Sequence, residues 1–130
     1  MITTAKAGEI IAIDSQWLGM PIYLKGHIPN KAIEKCGRVV IIPKDETPGK
    51  YFSKLFIEVN ILLPDIEGEA DIKLECIEAK AARRYDKGVA DESYGTWYRY
   101  SVQRYSIEGD KELECHYVHL QLLFEILNVK

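Results

Sequence analysis

The chain has 130 residues, 47% hydrophobic and 28% charged, with 17 basic against 20 acidic side chains and a formal net charge of −3. That length suits one domain with its own core and is short for two. The charge excludes a strongly basic nucleic-acid-binding domain, and apolar runs such as Ile10–Ile13 and Val39–Ile42 fall far short of the roughly 20 residues that span a bilayer.

The start, Met1-Ile2-Thr3-Thr4-Ala5-Lys6, lacks the charged segment and apolar core of a signal peptide, so the expectation is a soluble chain made in the cytosol. Residues 4–18 read as either a short helix or a strand, because Ile10-Ile11-Ala12-Ile13 suits both. Gly19 to Pro21 ends that element. Ile22-Tyr23-Leu24-Lys25 is a short extended piece, and Gly26 to Asn30 has turn composition. Cys36 is the first of three widely spaced cysteines, with Cys76 and Cys115. An odd number with no CxxC pair indicates free thiols in a reducing compartment rather than a disulfide framework or a zinc site.

Arg38 to Ile42 is a β-branched run closed by Pro43, hence a short strand. Residues 44–50 form the clearest loop, polar and containing Pro-Gly. From Tyr51 to Leu63 the chain alternates as a long strand, with Leu55, Ile57, Val59, Ile61 and Leu63 on one face and Lys54, Phe56, Glu58, Asn60 and Leu62 on the other. Pro64-Asp65 stops it. Ile66, Ala70, Leu74, Ile77, Ala81 and Tyr85 then form a single stripe, predicting a helix over about residues 67–85. Glu69, Lys73, Lys80 and Arg83 fall on its exposed side. Residues 86–95 read as a second polar loop.

Two strands follow, Trp97–Ile107 and Glu114–Leu127, with residues 108–112 as the hairpin turn. In the second, His116, Val118, Leu120, Leu122, Phe124 and Ile126 share a face. The order predicts a single α+β domain: a mostly antiparallel sheet of 4–5 strands, open to being mixed, with one main helix on one face and room for a short N-terminal helix. Charge is uneven along it. Seven basic and five acidic side chains occupy residues 1–50, six and ten occupy 51–92, and four and five occupy 93–130. The acidic block coincides with the helix and reads as its solvated face.

Three motifs invite chemistry. Pro64-Asp65 with Asp71-Ile72-Lys73 reproduces the PD…(D/E)xK string of Mg²⁺-dependent nucleases, whose carboxylates hold a hard cation that stabilises charge on the phosphate. Such a site needs its second acid and lysine on a strand, whereas residues 71 and 73 of a helix project about 200° apart. Asp65 is better explained as a helix-start residue near the positive end of the dipole. Cys115-His116-xx-His119 offers zinc-type ligands, but on a strand His116 points away from both Cys115 and His119. Finally, Trp97, Tyr98, Arg99, Tyr100, Arg104 and Tyr105 combine aromatics and arginines, the anchors of protein interfaces; core packing and base stacking are the alternatives. Strict alternation puts Tyr98, Tyr100 and Arg104 on one face and Trp97, Arg99 and Tyr105 on the other. No Gly-rich phosphate loop, nucleophile elbow or HExxH is present. The residues therefore predict no enzyme, no catalytic or metal-binding residue and no cofactor.

Four segments together resemble one family. Ile22–Asn30 resembles the "IYK…P.(N/S)" element of phage and prophage tail-terminator (tail-completion, head–tail joining) proteins, and Arg38–Pro43 resembles their "IVIN" strand. Phe56-Ile57-Glu58-Val59-Asn60-Ile61-Leu62-Leu63-Pro64-Asp65-Ile66 is similar to their "V.VN.YVPD" strand, and Glu114–Glu125 to their "E..HF.NI.L.F" final strand. The resemblance covers about residues 20–127 in order. It implies a structural virion protein, assembled in the host cytoplasm, that caps the tail tube as a homo-oligomeric, hexameric ring and joins it to head or neck proteins. It brings no cofactor, membrane partner or specific nucleic-acid binding. A ring needs two different patches per protomer; the aromatic segment 97–105 and loop residues Asp45, Glu46, Lys50, Asp91 and Tyr94 are the expected ones. The competing readings are the nuclease and a small non-catalytic adaptor module.

Overall fold

The computed structural model describes residues 2–45, 47–49, 52–65, 70–91 and 96–128. Residues 4–18 are helical: α1 spans Thr4–Asp14 and passes into a 3-10 turn, Ser15–Leu18, that Gly19 ends in the left-handed region at φ 66°. The Thr3 hydroxyl accepts the Lys6 backbone N–H at 3.1 Å and caps the start. Ala7, Ile11 and Asp14 are buried on one side while Ile13 is exposed, the periodicity of a helix rather than a strand. Gly8 permits α1 to lie close to the sheet, since a Cβ there would stand 2.9 Å from Pro43 Cγ.

The strands are β1 (Ile22–Leu24), β2 (Arg38–Pro43), β3 (Thr47–Pro48), β4 (Phe52–Pro64), β5 (Lys87–Asp91), β6 (Thr96–Asp110) and β7 (Cys115–Asn128), and α2 is Ala70–Arg84. They form one sheet in the order β1-β2-β4-β7-β6-β5, with β3 attached to β4. Among the described residues only β1 and β2 run parallel, so the sheet is mixed. Two expected loops contribute strands: Thr47–Pro48 pairs with Ser53 and Lys54, and Lys87–Asp91 pairs with β6. Cross-strand pairing overrides their polar composition. The main helix has a described start at Ala70, because 66–69 lie outside the described residues.

One face of the sheet is the core. Val39 and Ile41 of β2, Leu55 through Leu63 at alternate positions of β4, and Val118 through Ile126 at alternate positions of β7 pack beneath Ala7 and Ile11 of α1 and Leu74, Ile77 and Ala81 of α2. Each buried Val, Leu, Ile or Phe among them contributes roughly 1.5–3 kcal/mol. Both helices cover this inner face. Their C-terminal ends are joined by Asp14, whose carboxylate is buried and accepts from the Tyr100 hydroxyl at 2.7 Å, Lys87 Nζ at 2.9 Å and Arg84 Nε at 3.3 Å. Beside it the Ser15 and Tyr85 hydroxyls share a hydrogen bond at 2.7 Å. Burial pushes Tyr85 up to about 12, and burial followed by the Asp14 carboxylate pushes Tyr100 upward, so both stay protonated near neutral pH.

Candidate interaction surfaces

Tyr98 and Tyr100 belong to the protein's own core. They are 7% and 3% exposed, and their rings stack on Phe124 at 5.4 Å and 5.7 Å between centroids. They therefore leave the expected interface, because β6 turns this side toward α2 and the inner face. Trp97 and Arg99 face outward. Trp97 is half-buried, and Arg99 donates to Glu125 Oε1 at 2.9 Å while lying over the Trp97 ring.

Strict alternation fails beyond Val102. The β6–β7 register shifts between Val102 and Arg104, so Gln103 is an extra residue and every later side chain changes face. Arg104 stands opposite Gln121 on the outer face, and Tyr105 stands opposite Leu120 on the inner side, where it is 56% exposed. This reverses the expected placement of both. Ile107, opposite Val118, is exposed there too.

The outer face is divided in two. At one end, residues 25–37 fold over the sheet and cover Val40, Leu62 and Cys115 with Ile33 packed against them. Arg38 holds this segment: its buried guanidinium donates to Glu34 Oε2 at 2.8 Å and the Ala32 carbonyl at 2.9 Å, and lies over the Tyr23 ring. The Tyr23 hydroxyl donates to Glu34 Oε1 at 2.7 Å. A half-open cavity of about 330 Å³ remains between the segment and the sheet, bordered by Ile28, Ile33, Leu62, Leu113 and Tyr117. Burial, then the Asp110 and Asp65 carboxylates, push the Cys115 thiol up to about 11, which makes it a poor nucleophile.

At the other end the face is open. Register aligns Phe52 with Leu127 and Trp97, Lys54 with Glu125 and Arg99, and Phe56 with Leu123 and Ser101. The result is apolar rows separated by a charged row. Phe52 and Phe56 are exposed. Their signal was legible only as large apolar side chains on the polar face of an alternating strand, which the aromatic run at 97–105 overshadowed. Of the loop candidates, Asp45 is exposed, Asp91 is the last residue of β5, and Glu46, Lys50 and Tyr94 lie outside the described residues.

The chemical motifs are dispersed. Asp71 and Lys73 both lie within α2, while Asp65 follows the end of β4 and its carboxylate pairs with His116 Nδ1 at 2.5 Å. His119 Nδ1 pairs with the Asn60 side-chain oxygen at 2.7 Å on the outer face, so the two histidines serve opposite sides of the sheet. Cys36 and Cys76 are exposed and unbridged, as Cys115 is buried and unbridged. Among the described residues, no three His, Cys, Asp or Glu side chains gather at metal-binding distance, and no helix is long and apolar enough to cross a membrane.

No family model matches the chain, and no curated protein matches it. Several solved structures match; one of them superposes with a TM-score of 0.62 at 13% identity, over 98% of this chain and 96% of that one. At that identity the likeness is one of fold, and it extends over nearly the whole of both chains.

Proposed function

We propose that this chain is a structural protein of tail-terminator type, which closes into a ring on the end of a phage or prophage tail tube, ends its growth and presents a surface to head or neck proteins. The observation that carries the reading is the arrangement of the four family-like segments. They are distant in sequence, yet they supply β1, β2, β4 and β7, which are consecutive neighbours in the sheet. Their contiguity in the sheet is consistent with the four segments acting as one family-like unit. The open outer face, with Phe52 and Phe56 exposed beside Trp97 and Arg99, has the aromatic and arginine content of an assembly surface. The protomer acts without catalysis in this reading, because the acid and lysine of the nuclease string are held on a helix.

The test is removal of the gene from a genome that produces particles. Overlong tail tubes without heads support the reading; tails of normal length joined to heads contradict it.

A further inference from the structure

Two separate surfaces of the protomer carry opposite charge, and each combines that charge with apolar groups open to solvent. The first is an open groove of about 440 Å³ between the 3-10 turn and the last turns of α2, lined by Trp17, Ala79, Lys80, Arg83 and Arg84. Arg84 and neighbouring Lys87 are engaged by Asp14. Lys80 and Arg83 are exposed and have no ion-pair partner among the described residues. The floor of the groove is apolar, with the Trp17 ring set edge-on to Tyr85.

The second surface is the far corner of the sheet. Here β6 is an edge, since β5 pairs with it only from Thr96 to Tyr100. Tyr105 and Ile107 are exposed along that edge, and Leu113 is 55% exposed on the turn that follows. Glu108, Asp110, Glu112 and Glu114 lie within five residues of Leu113 in the chain, against a single Lys111. The turn is preformed: Asp110 Oδ1 accepts the Leu113 N–H at 3.1 Å, the Glu114 carbonyl accepts the Asp65 N–H at 2.9 Å, and Glu114 sits at φ 50°. A non-glycine residue held in the left-handed region marks a turn whose shape the surroundings impose. Such a turn docks with little ordering cost.

The corner cannot reach the groove of its own chain. Lys87, just past α2, pairs with Tyr100, and ten further residues of strand at about 3.3 Å each separate Tyr100 from Asp110. Groove and corner are thus two different patches on one molecule, which is the requirement for a head-to-tail contact that repeats around a ring. We propose that the turn at residues 111–114 of one copy docks in the groove of the next, with Leu113 against Trp17 and Ala79 and with Glu112 and Glu114 facing Lys80 and Arg83. The closure of this contact into a ring rests on the tail-terminator reading; the contact itself rests on charge and shape.

The experiment is sedimentation velocity of the full chain, alone and bound to tail tubes, with two charge reversals. Lys80→Glu with Arg83→Glu makes both patches acidic, and Glu112→Lys with Glu114→Lys makes both basic. Each variant alone is expected to lose self-association by at least tenfold in midpoint concentration, with the wild-type chain weakened by added salt. Mixed in equal amounts, the two variants restore every contact in alternation and are expected to assemble again, which a misfolded variant does not do. If either variant assembles like the wild type, or the mixture fails to assemble, the contact is overturned while the ring reading stands. If the wild type stays monomeric both alone and on tubes, the contact and the ring reading fall together.

Discussion

Arg38 is a buried guanidinium, 4% exposed, whose ion-pair partner is Glu34. Replacing Glu34 by Ala leaves that charge without a carboxylate and is expected to cost about 1–3 kcal/mol in chemical denaturation. Glu34→Gln supplies the matching pH test. Burial raises the Glu34 carboxyl, but hydrogen bonds from Tyr23, its own backbone and Arg38, with the Arg38 charge, outweigh it and bring the group from 4.5 to about 2. A carboxyl depressed in the native state binds its proton less tightly there than when unfolded. Its stabilisation is therefore complete above about 4.5 and is lost as pH falls toward about 2. Denaturation midpoints between these values should fall less steeply in Glu34→Gln than in the wild type; parallel curves contradict the assignment. Glu114 offers a gain instead. Glu114→Gly relieves the left-handed backbone and is expected to raise stability by about 0.5–1 kcal/mol, net of the extra freedom of the unfolded chain. The Tyr23 partnership was not legible in the sequence, because the parallel pairing of β1 with β2 brings it to Arg38, and the Glu34 contact, though only four residues away, depends on how the segment before β2 folds back.

The elements separate what sequence shows from what it hides. The alternation from Leu55 to Leu63 and the stripe from Leu74 to Tyr85 were visible because each repeats a period over several residues and the buried set matches it. Strand β5 was not, since Lys87-Gly88-Val89-Ala90-Asp91 has the composition of a turn and is held by its register on β6. The bulge at Gln103 was equally hidden: one inserted residue leaves composition unchanged and reverses the face of Arg104 and Tyr105. The tyrosines show the consequence. Tyr98→Ala or Tyr100→Ala opens the packing around Phe124 and is expected to cost about 3 kcal/mol or more in thermal unfolding. Phe52→Ser or Phe56→Ser, on the open outer face, is expected to change stability by less than about 1 kcal/mol while weakening binding to the tail partners of the proposed function. Unfolding curves that rank the two pairs the other way contradict the assignment of faces.

For the whole molecule, the net charge of −3 and the 47% apolar share resolve into a sheet with one face covered by two helices except near Tyr105 and Ile107 and the other only half covered. The closed face accounts for the fold. The open face exposes Phe52 and Phe56, the acidic corner exposes Tyr105, Ile107 and Leu113, and the basic groove lies at Trp17. A ring subunit, as proposed, needs at least two surfaces for its neighbours and one for the tube. Titration of the purified chain into polymerising tail-tube protein, with tube length read by electron microscopy, tests this most directly. Growth arrest with one ring-shaped density at the tube end, saturating at a fixed small number of chains per tube, is the result predicted; tubes that lengthen at the same rate and carry no bound chain contradict it.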